Sequence, residues 1–268
     1  MHTNVEMPTL RELGDDLLKV SPTRRILTLT LPFFWCAAYM LAASLGLWPV
    51  AIGCLVSLSF TTYGSTSHDL VHNALGLPRW LNDVLMSVTE LLAIRSGHAY
   101  QAAHLHHHAR YPNDDDIEAK ASRYSFMRSL VEGVLFQFRI YGWALKNAPA
   151  KRDWIIAEGI LCLAWLALAI GTVRYSPIIG VYVALIIVGS WIIPLVTSYL
   201  PHDPNGDSEL TQTRLFRGTV ASIVAVEHLY HLEHHLYPAV PHTNWPELAK
   251  RLDPHFERAG IEPIVFWF

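Results

Sequence analysis

Charge is scarce in this chain. Asp, Glu, Lys and Arg make up 16% of its 268 residues, where a soluble globular domain carries about 25%. That deficit excludes an ordinary soluble domain. The net charge of −3 is uninformative, and no basic tract suggests a nucleic-acid partner. Cysteine is scarcer still: Cys36, Cys54 and Cys162 lie inside apolar runs, cannot all pair and lack metal-site spacing, so they read as small buried apolar residues. No G-x-G-x-x-G dinucleotide fingerprint occurs, and no H-E-x-x-H zinc-protease motif. Neither a regular internal repeat nor a low-complexity linker interrupts the chain, so residues 1–268 are expected to form one domain. A cleavable signal peptide is not expected either, because the first 25 residues are mixed polar and carry Arg11, Lys19, Arg24 and Arg25.

Apolar runs are abundant. Hydrophobic residues make up 51% of the chain, and the mean hydropathy is +0.24. A helix needs about 20 apolar residues to cross a bilayer, and four segments meet that length, at about 26–48, 49–67, 154–171 and 178–200. Pro32 and Pro194 interrupt two of them, which membrane helices tolerate. Only short turns separate the members of each pair, so the four spans form two hairpins. Both termini and the segment 68–153 then share one side of the membrane. Of 20 Lys and Arg residues only Arg174 falls on the other side, which makes the crowded side cytoplasmic. Leu77–Gly97 and Tyr124–Leu145 are apolar but carry charge, and read as helices lying in or dipping into the interface. The expected fold is an all-α integral membrane protein with a cytoplasmic histidine-rich cap.

Histidine is conspicuous. The stretch "EHLYHLEHHLYPAVPH", Glu227 to His242, holds five histidines in sixteen positions, and "HDLVH" and "HLHHH" add two further clusters. At 3.6 residues per turn, His68 and His72 share one helix face. So do His104, His107 and His108, and again His231, His234 and His235; His106 points the opposite way and is not expected to be a ligand. Neutral imidazole binds transition metals, and eight convergent histidines exceed the three or four of one zinc site. Two metals is the economical reading. A metal transporter would place polar ligands inside the spans, where the one charged residue is Glu158, best read as snorkelling or hydrogen-bonded.

H-x-x-x-H followed by H-x-x-H-H and again H-x-x-H-H, on the cytoplasmic side of four spans, resembles the membrane fatty acid desaturase superfamily. The match runs from His68 to Pro241. It implies two iron ions held by His68, His72, His104, His107, His108, His231, His234 and His235, with O2 as co-substrate and electrons from a separate donor. Members of the superfamily commonly add a ligand just after the last span, and His202 in "YLPHDP" occupies that place. Ligating imidazoles need acceptors for their second ring nitrogen. Asp69, Asp203, Glu227 and the run Asp114 to Asp116 lie close enough in sequence to serve, and His228 is a further candidate beside the third cluster.

"YLPHDP" and "HLHHHARYPNDDD" are similar to carotenoid ring hydroxylases and ketolases, whereas "HLEHHLYPAVPHTNWPEL" is similar to acyl desaturases. The resemblance favours carotenoid ring hydroxylation or ketolation, with fatty acyl desaturation as the alternative. Either reading requires a lipid from the bilayer and an apolar tunnel ending at the metals, for which Trp35, Tyr39, Phe60, Tyr63, Trp191 and Tyr199 are candidate walls. It also requires a soluble ferredoxin or a b-type cytochrome. Arg110, Arg123, Lys151 and Arg152 could steer an acidic donor, and equally satisfy the positive-inside rule.

Overall fold

The computed structural model describes residues 6–218 and 229–266, apart from the side chain of Tyr63. Its main helices are α1 (Pro22–Ser44), α2 (Trp48–Thr61), α3 (Arg79–Leu92), α4 (Gly97–Arg110), α5 (Phe126–Asn147), α6 (Arg152–Thr172), α7 (Ile178–Ser190), α8 (His231–Leu236) and α9 (Trp245–Ala259). The expectation of an all-α chain needs one small amendment. Phe216–Arg217 pairs in parallel with Ile264–Val265, a two-residue ladder that fastens the C-terminal segment to the chain ahead of the third histidine cluster.

Among the described residues three helical stretches are long and apolar enough to cross a membrane: Pro22–Ser44, Pro149–Thr172 and Ile178–Tyr199. The segment expected as a further span, 49–67, behaves differently. Its α-helix ends after 14 residues, at Thr61. The helix then widens into a π-helical turn over Thr62–Ser67 before reaching His68. The reason is local. "TTYGSTS" replaces aliphatic residues with hydroxyls, and Thr62, Thr66 and Ser67 are buried; Thr66 donates to Thr28 O at 2.9 Å.

Both helical hairpins occur. Gly46 takes φ +73° in the turn between α1 and α2, a conformation glycine adopts without steric cost. Tyr175 and Ser176 fold back on Thr172 O between α6 and α7. Tyr39, Ala42, Leu55, Leu58, Tyr182 and Ile186 form the core shared by α1, α2 and α7, and the Tyr39 hydroxyl donates to Ile178 O at 2.7 Å. The outward faces stay apolar: Leu27, Phe34, Leu41, Ile160, Leu163 and Ile170 are all exposed. A surface that greasy is unfavourable in water and suited to lipid.

Leu77–Gly97 does not form one helix. α3 stops at Leu92, and a tight turn over residues 93–96, with Ile94 at φ +54°, reverses the chain into α4. Ser96 caps α4 by accepting from Ala99 N at 3.1 Å. The turn meets the span bundle, where the Tyr182 hydroxyl donates to Leu92 O at 2.5 Å. A second core joins the two ends of the chain, with Leu13 and Leu17 packing against Leu232, Val240, Trp245, Leu248 and Phe256. Arg251 secures it through Asp16 at 2.7 Å.

Candidate metal centre

Each histidine reaches the centre by a different local device. His68 and His72 emerge from the π-helical turn that ends the α2 path. His104, His107 and His108 lie on one face of α4, and His231, His234 and His235 on one face of α8. His202 comes just after a second π-helical turn, Leu195–Tyr199, and pairs with Thr213 in an isolated antiparallel bridge. An added residue per turn rotates the next stretch of chain about the helix axis, and π-turns recur at functional sites for that reason.

The nine imidazoles gather in two groups. His68, His72, His104, His108 and His234 form one, and His107, His202, His231 and His235 the other; the ligating atoms of each lie within 4.8 Å of one another. Every histidine proposed from the sequence as a ligand is in one of the two. His106 is in neither: it tilts against Trp143 at 4.8 Å with Nε2 beside Asp115 O, as its helix face requires.

The chemistry of the donors fits a cation. His104 Nδ1 faces Glu118 Oε2 at 3.0 Å, His107 Nδ1 faces Asp116 Oδ2 at 2.7 Å, and His202 Nδ1 faces Ser198 O at 3.0 Å. These acceptors place the proton on Nδ1, so Nε2 of all three presents a lone pair inward. The Nε2 atoms then crowd together. His234 Nε2 lies 2.9 Å from that of His68 and 2.7 Å from that of His108, and His235 Nε2 lies 3.2 Å from both His107 and His202. Lone pairs facing lone pairs repel, and a shared divalent cation turns that repulsion into coordination. Burial, then neighbouring imidazoles, hold His68, His72, His108, His234 and His235 well below the ordinary histidine range. His202 is held down in the same way, by burial and then by His107. All six are therefore in the neutral, ligating form. His107 moves upward: burial opposes its charged form, but the hydrogen bond and charge of Asp116 outweigh it.

The second-nitrogen partners differ from those read in the sequence. Of the run Asp114 to Asp116 only Asp116 serves; its Oδ1 also accepts from Glu118 N and Ala119 N at 3.0 and 3.1 Å, which fixes the carboxylate. Asp69 does not serve. It is buried beside His68, but it accepts from His242 N at 2.9 Å and His242 Nδ1 at 2.7 Å, because the chain after the third cluster folds across it. Asp203 does not serve either, being half-exposed in a loop and taking Asn205 N at 3.0 Å. Glu227 and His228 lie outside the described residues. Sequence reasoning missed Glu118, whose approach to His104 depends on the return of residues 111–118 along α4, and the Ser198 carbonyl, which no residue type announces.

Two nearby charges have other duties. Glu233, between ligands on α8, points away from the centre to Arg217 Nη1 at 2.6 Å, and burial, countered by Arg217, pushes it up to about 7. Glu158 is buried and hydrogen-bonded as expected, accepting from Ser96 Oγ at 2.6 Å, His98 N at 3.1 Å, and Ser87 Oγ; His98 Nδ1 lies at 2.7 Å.

Among the described residues, two apolar cavities between the helices have volumes of about 100 Å³ and about 380 Å³. The smaller one touches both π-helical turns through Gly64, Val196 and Thr197, and Phe60 is in its wall; the larger lies among α5, α6 and α7 and includes Trp191. The other wall candidates do not line either: Trp35 and Tyr39 pack in the span core, Tyr199 meets Phe126 with ring centroids 6.3 Å apart, and the Tyr63 side chain is outside the described residues.

The model of the family described as fatty acid desaturase matches residues 45–267. The chain is also similar to the acyl-lipid (9-3)-desaturase of Physcomitrium patens, 23% identical over 258 residues that cover 79% of this chain and 49% of that protein. The chain thus spans about half the length of the curated relative it matches. Since the family match takes in both π-helical turns and all nine clustered histidines, the chain belongs to the fatty acid desaturase family.

Proposed function

We propose that this protein desaturates fatty acyl chains of membrane lipids, with two iron ions held by the five- and four-histidine groups. The observation that carries the proposal is the pair of converging imidazole sets, whose inward lone pairs match the donor set of a di-iron lipid oxidoreductase. The family match and the name of the moss relative favour acyl chains; neither favours the carotenoid ring hydroxylation or ketolation that "YLPHDP" suggested, so acyl desaturation takes its place as the main reading. When bound, the irons supply with O2 the oxidising power to remove hydrogen from an unactivated C–H bond, which no side chain possesses. Desaturation takes two hydrogens from adjacent carbons. With two electrons and two protons from outside, O2 leaves as two waters.

The chain's own residues bind and position. Glu118, Asp116 and the Ser198 carbonyl hold three rings in the ligating tautomer. The smaller cavity reaches the π-helical turns that carry His68 and His202, and offers an apolar chain a dry approach from between the spans. In this reading the α2 path completes a fourth span, α3 and α4 dip into the membrane and return, and termini and metals share the cytoplasmic side. The whole described chain acts as one domain. Electrons come from a ferredoxin or a b-type cytochrome. Of the basic residues considered for docking, Arg110 pairs with Asp115 and Lys151 with Asp83, which favours local roles for both.

The test is expression in a bacterium that makes both carotenes and saturated acyl lipids, supplied with a ferredoxin system. Acyl chains short by two hydrogens, with unchanged pigments, are the expected result. Oxygenated carotenoids with unchanged acyl chains would overturn it.

A further inference from the structure

A buried ion pair stands where the two cavities meet. Both are lined by Ala93, Arg95 and Ser190, and apart from these three their linings are distinct. Arg95 Nε lies 2.9 Å from Glu90 Oε2 and Nη2 donates to Oε1 at 3.3 Å, with both side chains almost wholly buried. Charge buried between apolar spans is costly and is retained where it does something. The backbone at this point is unusual as well. Ile94, beside Arg95, sits at φ +54°, a region that β-branched residues avoid and that persists where the surroundings force it. Tyr182 and the Arg95 N–H to Glu90 O bond hold the turn in place.

We propose that the Glu90–Arg95 pair is the floor of the substrate slot, and so a specificity-determining element that limits how far an acyl chain extends beyond the metals. The inference rests on the acyl-lipid reading. A lipid with its headgroup at the membrane surface lies with the carbon to be oxidised near the π-helical turns, so its methyl end runs down the smaller cavity. That cavity passes from Gly64 and Thr197 to Ile186, Ala93 and Arg95. There the ion pair closes it off from the larger cavity, which continues along Gly133, Gly159 and Cys162. The guanidinium cannot swing aside cheaply, because doing so leaves the buried Glu90 carboxylate without its charge partner. Replacing both partners by uncharged residues of similar size removes that penalty and frees the side chain between the cavities to move aside.

The experiment compares the wild type, the double variant Glu90→Gln with Arg95→Met, and Ser190→Leu. The last adds bulk at the same floor while leaving the ion pair intact. Each is expressed as the full chain, supplied with a ferredoxin system, in membranes offered saturated acyl chains of graded length. Two quantities are read: the ratio of long-chain to short-chain products, and the length of the acyl chains retained by the purified protein. The double variant is expected to raise the long-to-short ratio at least tenfold and to retain longer chains. Ser190→Leu is expected to shift both readings toward shorter chains. If the double variant does not accumulate, Ser190→Leu decides alone. Unchanged ratios and retained lengths in the variants that accumulate would overturn the floor. A wild type that forms no double bonds would instead refute the acyl-desaturase reading, and the retained-lipid lengths would still decide whether the floor exists.

Discussion

Asp116→Asn isolates the tautomer argument in a single atom. Asp116 uses Oδ1 to accept two backbone N–H groups, of Glu118 and Ala119, and Oδ2 to face His107 Nδ1 at 2.7 Å. An amide has one oxygen. If that oxygen keeps the two backbone donors, the new NH2 faces His107 Nδ1, which must then accept, and the ring proton moves to Nε2. The four-histidine group loses a lone pair without losing a ring. Disturbing such a partner typically weakens metal binding 10- to 100-fold, about 1.4–2.8 kcal/mol. The assay is iron per chain by elemental analysis against increasing chelator, on protein purified in detergent. The wild type should release its iron in steps that the variant shifts for one ion of two, to roughly 10- to 100-fold lower chelator. Asp115→Asn is the control, since Asp115 is half-exposed and pairs with Arg110. An Asp116→Asn protein with both irons and the wild-type chelator profile would refute the claim that Asp116 sets the His107 tautomer.

Replacing His104, His107, His231 or His234 by alanine should abolish turnover and lower bound iron while the protein still inserts in membranes; His106→Ala should retain substantial activity, and equal loss in His106→Ala would remove the distinction between the two faces of α4. Iron-free protein should lose stability as pH falls below about 6.5. Six imidazoles, His68, His72, His108, His202, His234 and His235, are held neutral in the fold. The unfolded chain therefore binds more protons below that pH, and stability rises with pH across the window; equal melting temperatures at acid and neutral pH would refute this. Gly133→Ala should destabilise by about 1–3 kcal/mol, because a Cβ there would collide with the Trp191 carbonyl where α5 crosses the chain after α7, and an unchanged melting temperature would show that the helices can part at no cost.

Periodicity and composition made part of this molecule readable in advance. Spacing of i, i+3 and i+4 puts His104, His107 and His108 on one side of a helix and His106 on the other wherever the helix ends up, because the helical repeat is local. Long aliphatic runs demand burial in lipid or protein, so the Pro22–Ser44, Pro149–Thr172 and Ile178–Tyr199 helices come from hydropathy alone. The second apolar run was less readable, since "TTYGSTS" turns its end into a π-helix that no hydropathy average reveals.

Which rings gather together was a tertiary matter. His107 and His108 are adjacent in sequence but belong to different groups, and His68 meets His234 across 166 residues. The same holds for the partners of the rings. Sequence proximity nominated Asp69 beside His68, yet the return of Pro241 and His242 claims its oxygens, while Glu118, 14 residues after His104, arrives by the folding of a loop. The sequence by itself determined that the histidines would face the same way within each of the three clusters. Only the tertiary structure decided their division into five and four, the carboxylates that set their protons, and the burial of the Glu90–Arg95 ion pair. Helical faces depend on neighbours a few residues away, whereas each of these contacts depends on where separate helices come to rest against one another.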